Sequence, residues 1–146
     1  MVLLREEHTF YQTRVLETGK TCYSEYKPRD ILEAGCIQGG STIEGRQAAA
    51  GKLLNTSRMI PIPVYPKRGI YMFPTTSNKS KQCIWLSYYH IHSYEERAAG
   101  THIRFIDGTG MDILVSIYTI DKQYKKTSQV IAETLRHQYF PDLLLR

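Results

Sequence analysis

Long apolar runs are missing from this chain of 146 residues, and with them any candidate for a membrane-spanning helix, which needs about 20 consecutive apolar residues. Cysteine is scarce. Cys22, Cys36 and Cys83 are odd in number and widely spaced, which argues against a disulfide framework and for a reducing, cytoplasmic setting. No Cys-x-x-Cys pair offers zinc a ligand frame, and no Gly-Lys-Ser/Thr ending makes an NTP-binding loop. The N-terminal Met1-Val-Leu-Leu-Arg5 turns acidic at Glu6 and Glu7, where an export signal would stay apolar, so no export is expected. Internal repeats and low-complexity tracts are also lacking.

Acidic residues are the minority charge: 14 against 19 Lys and Arg, a formal net charge of +5. That balance fits an anionic partner, nucleic acid first. Eleven of the aromatic residues are Tyr, against 4 Phe and 1 Trp. Tyr packs its ring and still offers a hydroxyl at a surface, as binding faces require. The length suits one domain, spanning residues 1–146, with a single core.

The chain organises around residues 70–92, where two aromatic-rich runs flank a polar loop and read as strand, loop, strand. In the second run Cys83 and Trp85 share one face with Ser87 and Tyr89, and Ile84, Leu86 and Tyr88 share the other with His90. Both faces are largely apolar, so this strand is expected at the sheet centre with Trp85 in the core. The loop Thr75 to Gln82 carries Lys79 and Lys81 and belongs at the surface. Residues 8–27 read as a hairpin turning at Gly19, and Pro28 opens a helical turn that Gly35 ends. A short helix is expected near 41–50, capped by Ser41 with Glu44 in a capping box and stopped by Gly51. Leu53 to Val64 returns to extended structure, and Pro61, Pro63 and Pro66 assign it to a sheet edge. Ser93 to Gly100 reads as a polar loop. A hairpin around Gly108 follows, with Phe105 opposite Met111 and Ile103 opposite Ile113. A C-terminal helix near 119–139 carries the stripe Ile120, Tyr124, Thr127, Ile131, Leu135 and Tyr139, with Lys122, Lys125, Lys126 and Arg136 largely on the other side. The expected class is α+β: a mostly antiparallel sheet curling toward a barrel, with the C-terminal helix on one face.

Enzymatic and metal chemistries find little footing. His90 and His92 face one side if both lie on a strand, and with Cys83 or Cys36 they could hold zinc; a packed aromatic-like pair explains them as well. Cys36 as a nucleophile lacks a positioned base nearby. Asp107 and Asp112 flank a turn and read as turn chemistry. Gly39-Gly40-Ser41 could offer backbone amides to an anion, and a plain helix cap accounts for them more simply. No cofactor and no reaction are expected.

Several pieces in order resemble the competence transcription factor family (ComK). They are Cys36 with Gly39-Gly40-Ser41, Gly45-Arg46, Pro61-Ile62, Ile70-Tyr71-Met72-Phe73-Pro74-Thr75, Trp85, Phe105 with Gly108, Met111 and Ser116, and then Gln123. The resemblance covers roughly residues 22–127. It implies an activator of DNA-uptake genes in the cytoplasm, at the nucleoid, that binds double-stranded DNA at AT-rich promoter boxes through the minor groove, as a homodimer or higher oligomer. Under that reading Arg46, Lys79 and Lys81 are candidates for insertion into the groove, and Lys122, Lys125 and Lys126 for holding phosphates. Met59 and Tyr65 depart from the family pattern, which has Lys and Asp there. The tail from Phe140 to Arg146 is short beside the extended tail that engages a proteolytic adaptor in the family. These departures argue against adaptor-mediated proteolysis and support an alternative: a paralogue that binds no DNA and pairs with a full-length activator or its adaptor.

Overall fold

The computed structural model describes residues 1–6, 8, 10–77 and 79–140; the tail and loop position 78 fall outside this range. Among the described residues, nine strands and three α-helices form an α+β fold. In chain order they are β1 (Val2–Arg5), β2 (Thr13–Glu17), β3 (Lys20–Ser24), α1 (Pro28–Gln38), α2 (Ile43–Leu54), β4 (Ile62–Tyr65), β5 (Ile70–Pro74), β6 (Trp85–Ser87), β7 (Ile91–Arg97), β8 (Gly100–Phe105), β9 (Gly110–Ile113) and α3 (Ile117–Tyr139). Six strands form one antiparallel sheet in the order β3-β2-β1-β6-β5-β4, and β7-β8-β9 form a second. The larger sheet stays open at β3 and β4 and does not close into a barrel.

Both faces of the larger sheet are covered, which explains its apolar central strands. Alternate residues of β1, β5 and β6 point opposite ways. Leu3, Met72 and Trp85 meet Leu32 and Cys36 of α1 and Ile43 of α2 on one side. Val2, Leu4, Phe73 and Leu86 meet Ile103, Phe105 and Ile113 of the second sheet and Ile120 of α3 on the other. Trp85 is buried, and β6 lies between β1 and β5, as the two apolar faces of its run predict. The edge strand β4 carries Pro63, which precedes a register shift against β5, and Pro61 and Pro66 flank it.

Several boundaries differ from the sequence reading. The opening run Val2–Arg5 is a strand beside β6. Helices α1 and α2 pass through Gly35 and Gly51 without stopping. A Cβ at Gly35 would sit 2.7 Å from Val64 Cγ1 and one at Gly51 2.9 Å from the Thr56 carbonyl, so these glycines permit close packing. Thr42, and not Ser41, caps α2, accepting from the Gly45 amide, and Asn55 ends that helix in the left-handed region. Residues 53 and 54 are therefore helical. His90 lies in a helical turn over Tyr88–His90, outside the strand that holds His92, so the two do not share a strand face. The polar stretch read as a loop from Ser93 is largely β7, an edge strand whose exposed face tolerates Glu95, Glu96 and Arg97. The β8–β9 register is two residues from the expected one: Ile103 faces Met111, and Phe105 donates its amide to the Thr109 carbonyl across a three-residue loop. Gly108 sits there at φ +88°, as that loop requires.

Candidate nucleic-acid interface

Helix α3 begins at Ser116, whose hydroxyl accepts from the Thr119 amide, and lays Ile120, Thr127, Val130 and Ile131 against the core. Gln123 shares that buried face at 1% exposure. An uncharged amide inside a core must be paired. Its Nε2 donates to the Met59 carbonyl at 2.8 Å and to the Pro74 carbonyl at 3.0 Å. One side chain thus ties α3 to the turn before β4 and to the end of β5. Met59 sits at φ +48° in that turn.

Basic residues radiate from this junction. Lys126 donates to the Arg58 carbonyl at 3.1 Å, and Lys122 stands one turn earlier on the same side of the helix. Burial, Lys122 and Arg58 together hold the Lys126 ammonium below its ordinary value. Like charges are therefore gathered here at an electrostatic cost, which an anion would relieve. Lys79 and Lys81 lie exposed on the loop that leaves Pro74. Thr75, fully buried, fixes the loop base: its amide donates to the Ile84 carbonyl and its hydroxyl accepts from the Ile84 amide. Arg58, Lys79, Lys81, Lys122 and Lys126 have no acidic partner among the described residues.

The remaining two candidates are placed differently. Lys125 reaches Asp121 at 2.7 Å, and that carboxylate also accepts from the Tyr94 hydroxyl. Lys125 is therefore partly neutralised. Arg46 is set apart on α2, where its Nη2 donates to the Gly39 carbonyl at 2.8 Å. It lines a recess with Thr134 and Leu135 of α3, about 12 Å along the helix axis from Lys126 at 1.5 Å per residue. Arg58, which the sequence reading did not select, belongs to the cluster. Its only sequence signal is a basic residue beside Met59.

Gly39-Gly40-Ser41 closes the end of α1 and does not open α2, contrary to the sequence reading: the Gly39, Gly40 and Ser41 amides are all spent on α1 carbonyls, which leaves none of them for an anion. His90 bonds Ser87, Cys36 and Cys83 are buried thiols pushed above their ordinary values by burial, and no group of three metal-binding side chains occurs among the described residues. No described helix is long and apolar enough to cross a membrane.

The ComK protein family matches residues 1–138. The chain is also similar to a competence transcription factor of Bacillus subtilis (strain 168), at 28% identity over 117 residues, covering 80% of this chain and 61% of that protein. It thus spans about three-fifths of that relative's length. No solved structure matches it. A match over nearly the whole described chain, on a fold that places the Phe73-Pro74-Thr75 run, Trp85 and Gln123 around one junction, makes this chain a member of the ComK family.

Proposed function

We propose that the chain is a DNA-binding transcription regulator of competence genes, acting in the cytoplasm at the nucleoid. The observation that carries this reading is the gathering of Arg58, Lys122 and Lys126 without acidic partners among the described residues, beside the loop that presents Lys79 and Lys81. A solvated protein surface has no need to hold three cations together against their mutual repulsion, whereas a row of phosphates offsets it. Membership in a family whose relative is named a competence transcription factor supports the same reading.

Within it, AT-rich boxes are read in the minor groove. A·T and T·A present the same acceptors there, so specificity comes from groove width, and a narrow groove draws in cations. Lys79 and Lys81, on an exposed loop, suit insertion. Arg58, Lys122 and Lys126 suit the phosphates, and Lys125 joins them if it exchanges Asp121 for phosphate. Arg46 has a smaller part, because its guanidinium is committed to Gly39.

The protein acts as a homodimer or higher oligomer. Leu135, Tyr139 and Phe140 are exposed at the end of α3, which outlasts the core beneath it. They also favour the second reading, a paralogue that pairs with a full-length activator. Competition with a minor-groove ligand separates the two. Netropsin on an AT-rich duplex should block binding, and a bulky major-groove adduct should not. The reverse pattern would remove the minor-groove assignment, and no binding to any duplex would favour the paralogue.

A further inference from the structure

A second cationic site lies away from that face. The end of α1, the helical turn Pro66–Arg68 and the last part of α3 enclose a recess of about 430 Å3. Arg46, Lys67, Tyr65, Tyr71, Leu135 and Gln138 line it, and no carboxylate does among the described residues.

The guanidinium in this recess is preset. Its bond to Gly39 holds it in place, and a Cβ at Gly39 would stand 3.2 Å from Arg46 Nη2 and 3.1 Å from the Val64 carbonyl. Glycine is thus what admits the arginine. The bond also serves the carbonyl end of α1, but it uses only one of the five guanidinium donors. Arg46 Nε is buried with no hydrogen-bond partner among the described residues. The Glu33 carboxylate is directed at the Ile43 amide, and neither Arg46 nor Lys67 has an ion pair among the described residues. Two cations therefore stand on different elements around a space whose other walls are Tyr65, Tyr71, Pro66 and Leu135, with the Thr134 hydroxyl and the Gln138 amide. A cavity of this size with apolar walls and a few directed polar groups is the usual form of a small-ligand site.

A tetrahedral phosphate accepts from several directions at once, which suits an arginine and a lysine arriving from α2 and from the turn after β4. Tyr65, with the Arg68 guanidinium 5.1 Å from its ring centre, and the buried Tyr71 make the less polar side of the recess, where the planar part of a ligand would lie. We propose that this recess binds a small phosphate ester carrying a planar ring, a nucleoside monophosphate being the representative. The same chemistry could come from a free nucleotide or from the terminal phosphate of a nucleic-acid strand.

The test uses the full chain and adenosine monophosphate, titrated by calorimetry and by amide chemical shifts. Inorganic phosphate, adenosine and a blunt-ended AT-rich duplex serve as comparisons. Saturable binding of the nucleotide is expected, with phosphate and adenosine each weaker. Lys67 is exposed and has no ion pair among the described residues, so Lys67→Glu should leave the fold intact while weakening the nucleotide at least about tenfold, as loss of a charge-assisted hydrogen bond does. Lys122→Ala should leave nucleotide binding unchanged. A 5′-phosphorylated duplex that competes where an unphosphorylated one does not would identify strand ends as the source, and no competition from either would identify the free nucleotide. Absence of saturable binding, equal affinity in the Lys67→Glu protein, or displacement by unphosphorylated duplex would overturn the proposal, the last by making the recess part of the DNA face.

Discussion

Replacing Gln123 by Ala removes the donor of two hydrogen bonds and leaves their acceptors behind. The Pro74 carbonyl is buried, so it loses its partner without gaining water, at about 1–3 kcal/mol. The Met59 carbonyl is half-buried and can recover solvent, so its loss is smaller, about 0.5–1.5 kcal/mol. Adding the space left by the side chain brings the expected destabilisation to about 2–4 kcal/mol. For a chain of this length that lowers Tm by roughly 4–16 °C, at about 2–4 °C per kcal/mol. Urea unfolding followed by Trp85 fluorescence gives the free energy directly, with the slope against urea expected to stay that of the parent. Because the two bonds also place Arg58 and the base of the Lys79–Lys81 loop, the refolded variant should bind DNA more weakly under conditions where it is fully native. A Gln123→Ala protein that melts within a degree of the parent would show that the junction is not held as described.

Trp85→Ala should cost about 3–5 kcal/mol, the range for large aromatic side chains truncated in cores; parental melting would contradict its central placement. Cys22 should react first with a thiol reagent under native conditions, while Cys36 and Cys83, buried with raised thiol pKa, should wait for unfolding; simultaneous labelling of all three would refute their burial. DNA binding should also survive EDTA, and its loss would revive the zinc reading. Burial lowers the His90 imidazole from its ordinary 6.5, so the unfolded chain takes up that proton first as pH falls. Its contribution is intact above about pH 6.5 and is lost on acidification below it; His90→Ala should flatten stability against pH between 7 and 5, and an unchanged profile would exclude the effect.

The fold was legible where periodicity or backbone chemistry acts locally. The two-faced apolar run at Trp85, the prolines of β4, the odd loop at Gly108 and the stripe of α3 each announce themselves. It was illegible where neighbours decide. Strand β1 is four residues long with its apolar positions buried on both faces, so it shows no alternation. Strand β7 is polar because it is an edge. Gly35 and Gly51 look like helix stops, and only their contacts reveal them as packing positions. In the interface, charge pointed to the lysines, but not to which of them remain unpaired. Asp121 four residues before Lys125 was a visible hint of pairing. The bonds from Arg46 to Gly39 and from Gln123 to Met59 and Pro74 are tertiary, and Arg58 joins the cluster only through the turn they help fix.

The salt dependence of affinity for an AT-rich duplex tests the central claim most directly. Five cations, Arg58, Lys79, Lys81, Lys122 and Lys126, have no acidic partner among the described residues. At about 0.9 per phosphate contact, they predict a slope of log affinity against log salt between about −2.7, if only Arg58, Lys122 and Lys126 meet the backbone, and about −4.5, if all five do. The double variant Lys122→Ala/Lys126→Ala should flatten that slope by about 1.8 and weaken AT-rich and mixed duplexes alike. A duplex affinity that does not change with salt, or a slope the double variant leaves unchanged, would contradict the account.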